Sequence, residues 1–341
     1  MEQIILGRTG IAVNRNGFGA LPIQRIPKAD AAHILQKAYE NGITYFDTAR
    51  FYTDSEEKIG AAFSPVRDKI IIATKTGALT AEDFWKDLHT SLANLKTDYI
   101  DVYQFHNPPF LPLPGQENGL YEAMEEAKKQ GKIRFIGMTN HRRQIAEDSI
   151  SCGKYDTLQF PFSYLADEKD IALAAACKKA RVGFLAMKTL SGGLISNAKA
   201  AYAFIRQYDN VLPLWGIQKE NELDEFLSFA DDPPALDGEL QKVVFEDREA
   251  LAGGFCRGCG YCLPCPAKID IPIAARMSLL LRRAPVEVYT TPEMRESMRR
   301  IESCIHCRHC AEHCPYGLDT PKLLQENYED FVQFVAELDR Q

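Results

Sequence analysis

No stretch of this 341-residue chain approaches the ~20 consecutive apolar residues needed to cross a bilayer, so a membrane-spanning helix is not expected. Met1 to Gly10 lacks a basic segment leading into a long apolar run, and no secretory signal is visible. Low-complexity tracts are absent, and the composition, 45% hydrophobic and 26% charged, is that of an ordinary globular protein. Positive charge is in deficit. A formal net charge of −7 argues against a nucleic-acid surface over the whole chain. Also missing is a strand followed by G-x-G-x-x-G opening a helix, which speaks against a six-stranded doubly wound sheet.

Cysteine is not scarce. Ten cysteines without an export signal point to a reducing compartment, the cytoplasm, where clustered thiols usually hold metal and not disulfides. Eight of them form two runs near the C-terminus: Cys256, Cys259, Cys262, Cys265 followed by Pro266, and Cys304, Cys307, Cys310, Cys314 followed by Pro315. Three thiolates at x₂ spacing can reach three irons of one cubane, while the fourth, ahead of proline, typically ligates the other cluster of a two-cluster ferredoxin. The expected ligand sets of two [4Fe–4S] clusters are therefore Cys256, Cys259, Cys262 and Cys314, and Cys304, Cys307, Cys310 and Cys265. Two zinc sites are the alternative, but Cys₄ zinc sites usually pair two C-x₂-C knuckles. The second run has the bacterial ferredoxin spacing and the first is one residue shorter before its fourth cysteine; the long, helical interval between them resembles α-helical two-cluster modules. Cys152 and Cys177 read as small buried hydrophobes.

From about residue 30 to 230, strand-like runs alternate with amphipathic stretches. Candidate strands are 16–20, 45–48, 70–75, 100–105, 135–139, 157–160, 183–187 and 211–216. Phe84, Leu88, Leu92 and Leu95 recur at helical spacing after Thr80, an N-cap with Asp83 three residues on. Eight strand–helix units predict an α/β fold, a (β/α)₈ TIM barrel. Residues 3–6 and 11–14 predict a hairpin before it. The pattern breaks at Asp231–Pro234. The expected domains are a barrel over 1–232 and, over 233–341, an α-helical ferredoxin-like domain led by a helix near 238–251.

Catalytic groups of such barrels sit at the C-terminal ends of strands. Asp47, Lys75 and His106 end candidate strands, and Tyr52 follows in the loop after Asp47. Together they suit carbonyl reduction by hydride transfer. A tyrosine supplies the proton, a lysine lowers its pKa, a carboxylate holds the lysine, and an imidazole orients the carbonyl.

On these residues the chain resembles the aldo-keto reductase family over roughly 3–230. The resemblance is carried by Phe46-Asp47-Thr48-Ala49 with Tyr52, Ala73-Thr74-Lys75, Tyr103-Gln104-Phe105-His106, Ile136-Gly137-Met138-Thr139-Asn140, and Gln159. It is most similar to a subgroup with a C-terminal two-cluster ferredoxin domain, through Cys259-Gly260-Tyr261-Cys262-Leu263-Pro264-Cys265-Pro266. The resemblance implies Tyr52 as general acid, Lys75 and Asp47 as its pKa tuners, and His106 as the carbonyl-orienting group. It implies NADPH or NADH as coenzyme. Thr139, Asn140 and Gln159 would hold the nicotinamide carboxamide, Leu190 to Leu194 with Gly192 the pyrophosphate, and Gly216 to Glu225 with Lys219 the adenosine end. Met187 stands where many members stack an aromatic ring on the nicotinamide. Lys219 would attract a 2′-phosphate, whereas Glu220 and Glu222 would repel it.

The expected partner is a small carbonyl or alcohol substrate, with no nucleic acid and no membrane. A nicotinamide gives two electrons as hydride, whereas a cubane passes one at a time. Three readings follow: a nicotinamide-dependent reductase with structural or redox-sensing clusters; an enzyme fed through its clusters, using a flavin that no sequence signature indicates; or an electron-transfer and docking subunit with a vestigial barrel site. Between Arg276 and Arg308 lie seven arginines, four glutamates and no lysine. They could dock an acidic ferredoxin or flavodoxin, offset cluster charge, or lie on a solvated face. An oxygen-protected, anaerobic setting is expected for the exposed clusters.

Overall fold

The computed structural model describes residues 2–251, 254–283 and 286–340, in two compact units. The first comprises residues up to 189 together with 198–241; the second comprises 190–197 and 242 onward.

In the first unit, β1 (Gln3–Ile5) and β2 (Ala12–Asn14) form the antiparallel hairpin. Then β3 (Gly17–Gly19), β4 (Tyr45–Asp47), β5 (Ile71–Thr76), β6 (Ile100–His106), β7 (Ile133–Thr139), β8 (Thr157–Pro161), β9 (Gly183–Met187) and β10 (Val211–Gly216) close a parallel barrel, with β10 pairing back to β3. The outer helices are α1 (Lys28–Glu40), α2 (Ser55–Phe63), α3 (Ala81–Leu95), α4 (Leu120–Lys129), α5 (Arg143–Ser151), α6 (Glu168–Ala180), α7 (Ala198–Ile205) and α8 (Glu220–Asp231). The predicted (β/α)₈ barrel is thus present, every expected strand included.

Side-chain alternation along the strands stacks the interior in layers. Tyr45, Ala73, Val102, Leu185 and Leu212 form an apolar layer, and Ile4, Leu6, Ile11 and Val13 of the hairpin pack in the same cluster. Two residues further along β4, β5 and β6 the inward positions turn polar, at Asp47, Lys75 and Gln104, and Gln159 of β8 joins them. A dry layer below therefore raises the strength of electrostatics in the layer above. Helix α3 starts as expected, the Thr80 hydroxyl accepting from the Asp83 N–H at 3.2 Å, and buries Phe84, Leu88, Leu92 and Leu95.

The division between the units falls within α9 (Gly238–Ala250). The second unit continues with α10 (Ile271–Ala274), α11 (Met277–Arg283), α12 (Val286–Tyr289), α13 (Pro292–Arg299), α14 (His309–Glu312) and α15 (Thr320–Leu338). It has its own core, in which Ile269, Met277, Leu281, Met298, Leu324 and Phe331 surround the buried Cys262 and Cys310.

Candidate active site and cluster site

Asp47 is the last residue of β4, Lys75 the second last of β5, and His106 the last of β6, so three adjacent strands deliver them to one end of the barrel. Lys75 Nζ donates to both Asp47 oxygens, at 2.8 and 2.7 Å, and to the Thr48 carbonyl at 2.5 Å. It lies 5.3 Å from the centroid of the Tyr52 ring. The Tyr52 and His106 rings meet edge to face, centroids 6.0 Å apart. The four expected catalytic residues therefore converge.

Burial pushes Asp47 up and Lys75 down, and their mutual attraction works against both displacements. We regard the pair as ionised, because Gln104 Nε2 (3.3 Å) and Gln159 Nε2 (3.2 Å) also donate to the carboxylate. Tyr52 differs from expectation. Its phenol is held well above its ordinary value, first by burial and then by the Asp47 charge. The reason is geometric: the Lys75 ammonium is engaged with Asp47 and Thr48, so Asp47 governs the field at Tyr52. His106 is lowered to about 3, by burial and then by the Lys75 charge, and is a neutral imidazole at working pH.

Sequence reasoning passed over Gln104 as a site residue. Fully buried, it binds Asp47, donates to Gln159 Oε1 at 2.9 Å and accepts from Thr139 Oγ1 at 2.9 Å. The signal was available, since Gln104 shares the inward phase of β6 with His106. Thr139 and Gln159 are adjacent on paired strands but spend their polar atoms in this network. The Asn140 side chain instead fixes its turn, donating to Pro108 O at 3.0 Å and accepting from Arg142 N at 2.8 Å. Half-buried Met187 closes β9. Lys219 immediately precedes α8, where Glu222 caps the Gln218 and Lys219 amides and Glu220 binds Lys37 at 2.7 Å and His33 at 3.1 Å. The two glutamates are thus already partnered.

In the second unit, Cys262, Cys265, Cys304, Cys307 and Cys310 all line one cavity. The last four are the expected ligands of one cluster, whereas Cys262 belongs to the expected set of the other. Cys262 is pushed up to about 12, chiefly by burial and then by the thiols of Cys256, Cys259 and Cys310. Cys314 follows α14, its amide donating to Ala311 O at 3.2 Å. All eight are free thiols, as are Cys152 and Cys177. Among the described residues no group of three or more His, Cys, Asp or Glu is arranged to hold a metal ion. A single ion needs ligands that meet within about 2.3 Å of one point. Thiols ringing a cavity fit a cubane, where each binds a different iron. Cys177 is fully buried, with its thiol also raised to about 12 by burial, as expected of a small hydrophobe.

Six of the seven arginines have internal partners. Arg282 pairs bidentately with Asp330, and Arg295 with Asp339. Arg283 binds Asp247, Arg299 binds Glu296, and Arg308 is 3.9 Å from Asp319. Arg276 binds the backbone carbonyls of Pro272 and Gly192. Arg276 is buried and Arg283 and Arg295 half-buried, whereas Arg282, Arg299, Arg300 and Arg308 are exposed, so much of the run lies on a solvated face.

The sequence pattern of the aldo/keto reductase family matches residues 15–230. The chain belongs to the aldo/keto reductase family. A 4Fe-4S dicluster domain matches residues 255–319. Among curated aldo/keto-reductase-like proteins, L-galactose dehydrogenase of Arabidopsis thaliana is 31% identical over 58% of this chain and 67% of its own length. The NADH-specific methylglyoxal reductase of Escherichia coli is 27% identical over 58% and 69%. The fold matches a holo-form aldo-keto reductase from Bacillus halodurans, with TM-score 0.63, 21% identity, and 72% and 96% of the two chains covered. An aldo-keto reductase from Klebsiella pneumoniae in complex with NADPH gives TM-score 0.62 at 21% identity over 72% and 94%. The protein is an oxidoreductase of this family with an iron–sulfur domain, and no helix among its described residues is long and apolar enough to cross a membrane.

Proposed function

We propose that the protein is a cytoplasmic NAD(P)H-dependent reductase of small carbonyl compounds, running in reverse as an alcohol dehydrogenase, and that it carries two [4Fe–4S] clusters. The observation behind this reading is the convergence of Tyr52 and His106 on the buried Lys75–Asp47 pair. Bound nicotinamide supplies the hydride. Neutral His106 donates a hydrogen bond to the carbonyl oxygen and orients it. As negative charge develops on that oxygen, Tyr52 gives up its proton, and its raised pKa keeps the proton in place until an alkoxide is there to take it. Lys75 offsets the Asp47 charge that the resulting phenolate would otherwise face, and Asp47, held by Gln104 and Gln159, fixes Lys75. Thr139, Asn140, Gln159 and Met187 are the candidates for the nicotinamide end, the turn of Leu190 and Gly192 for the pyrophosphate, and Lys219 for the adenosine end.

Both coenzymes deserve trial, since the relatives' names include an NADH-specific enzyme and a fold neighbour carries NADPH. The barrel reaction requires no electron from a cubane, so the clusters serve structure or a separate one-electron exchange. The test is steady-state carbonyl reduction by the protein and by Tyr52→Phe. Loss of about 10²–10⁴-fold in kcat with coenzyme affinity retained is expected; an unchanged kcat would overturn the assignment.

A further inference from the structure

One side chain at the catalytic end of the barrel breaks the local rules of its position. Strand β7 ends at Thr139, opposite His106 on β6. The next three residues turn the chain into α5, and Arg142 is the residue at the helix N-cap. That turn is tied to the chain just past His106. Asn107 Oδ1 accepts from the His141 amide at 3.0 Å, and the Asn140 side chain reaches from the Pro108 carbonyl (3.0 Å) to the Arg142 amide (2.8 Å). Contacts within the barrel unit alone therefore anchor Arg142 beside the candidate site.

An arginine suits this position badly. An N-cap side chain should accept from the first free N–H groups of its helix, as Ser, Thr, Asp or Asn does. A guanidinium has no acceptor, and its charge meets the positive end of the helix dipole. The start of α5 accordingly has no side-chain cap and no acidic residue in its first turn. No partner offsets this. The Arg142 side chain is half-buried, and its Nη1 is buried without a hydrogen-bond partner among the described residues. Asp167 and Asp170 pair with the neighbouring Arg143, at 2.6 and 2.8 Å, and Asp47 is committed to Lys75. The surroundings are positive as well. Buried His141 is held well below its ordinary value, first by burial and then by Lys188, His106 and Arg142, with no carboxylate among these groups. Buried polar groups are normally paired, and residues that break a local rule without compensation concentrate at functional sites.

We propose that Arg142 is a specificity-determining residue that binds a carboxylate of the substrate, so that the enzyme reduces oxo acids. A guanidinium offers two parallel N–H donors that match the two carboxylate oxygens. His106 and Tyr52 engage the carbonyl, and Arg142, beyond the end of the adjacent strand, holds the acid group of the same small molecule. This role rests on carbonyl reduction at Tyr52 and names the substrate class of that reaction.

The experiment measures kcat/KM for a series of small oxo acids and for the neutral amide of each, at saturating NADPH or NADH, with wild type, R142S and R142K. Wild type should favour the acid over its amide. R142S should lower that ratio about 10–100-fold, the scale of a hydrogen bond to a charged group, and mainly through KM. R142K should keep part of it, since lysine retains the charge without the fork. R142S should also raise the midpoint of denaturant unfolding, because serine can cap α5; a lowered midpoint would mark Arg142 as structural and overturn the assignment. A second arm titrates the hydroxy-acid product and each nucleotide by calorimetry, and R142S should weaken only the hydroxy acid. A wild-type ratio near one, or a ratio that R142S leaves in place, would overturn the assignment while the reductase reading stands. Nucleotide affinity lost in R142S with the ratio retained would overturn it too, by placing a coenzyme phosphate at the guanidinium. Wild type that reduces no carbonyl would bring down the reductase reading. The binding arm decides Arg142 even then, since hydroxy-acid affinity that R142S fails to lower overturns its role.

Discussion

At the scale of single residues, the site works by keeping protons where they are. His106, lowered to about 3, stays neutral through the physiological range, and Tyr52, raised by burial and by Asp47, stays protonated. Reduction needs both forms. Since the histidine pKa is depressed, acid begins to charge it only near its lowered value, and since the tyrosine pKa is raised, base removes its proton only above the usual value of about 10. The pH profile of kcat/KM for reduction is therefore expected to be flat from about pH 5 to 9, without the limb near 6.5 that an ordinary histidine would give. A limb between 6 and 7 would mean that His106 is solvated in the working enzyme. The convergence of the four candidate residues was legible because each lies at or just past a strand end, a local signal. The direction of the Tyr52 shift was not, because it depends on whether Lys75 turns to the phenol or to Asp47, and only the packed barrel decides that.

At the scale of elements, the end of the barrel away from the site is fastened by one carboxylate. Asp101, on β6 and fully buried, accepts from Arg67 Nη2 at 2.7 Å, from the Ile72 amide at 3.0 Å and from Arg134 Nη1 at 2.6 Å, joining β5, β6 and β7. Replacing it leaves Arg67, its guanidinium largely enclosed, without its counter-charge. Asp101→Ala is expected to cost about 3–5 kcal/mol, read as a lowered midpoint in denaturant unfolding of the barrel. A loss below 1 kcal/mol would show water taking over the contacts. All eight strands could be read from sequence because β-branched runs alternating with amphipathic stretches are local patterns. The break at Arg276 could not. The interval between the cysteine runs reads as helical, but α10 ends at Ala274 and α11 starts at Met277, with the Arg276 side chain turned to Pro272 and Gly192. A contact spanning 84 positions leaves no trace in a window of eleven.

At the scale of the whole molecule, two units with separate cores share one chain, and the cysteine pattern predicts how iron is divided. Cys265 lines the cavity of Cys304, Cys307 and Cys310 despite lying 39 positions before Cys304. The two-cluster rule expects the fourth ligands to be exchanged. Cys265→Ser and Cys314→Ser should each lower iron from about eight to about four per chain while leaving the other cluster. Loss of all iron from either variant would mean that the clusters stand or fall together. Here the spacing marked a dicluster iron–sulfur domain, because the ligand run is itself the chemistry. What spacing did not say is that the turn at 190–197 belongs with the cysteines, or that most of the arginines between 276 and 308 are occupied within the fold.

The central claim is that the barrel reduces carbonyls with nicotinamide at Tyr52, without drawing on the clusters. One anaerobic measurement tests it most directly: reconstituted protein, NADPH or NADH, and a series of small aldehydes and ketones, with coenzyme, alcohol product and cluster absorbance followed together, alongside Tyr52→Phe. Expected are one alcohol formed per coenzyme oxidised, clusters unchanged throughout, and the reaction lost in the variant. Coenzyme oxidation that bleaches the clusters without forming alcohol, or that continues undiminished in Tyr52→Phe, would contradict it.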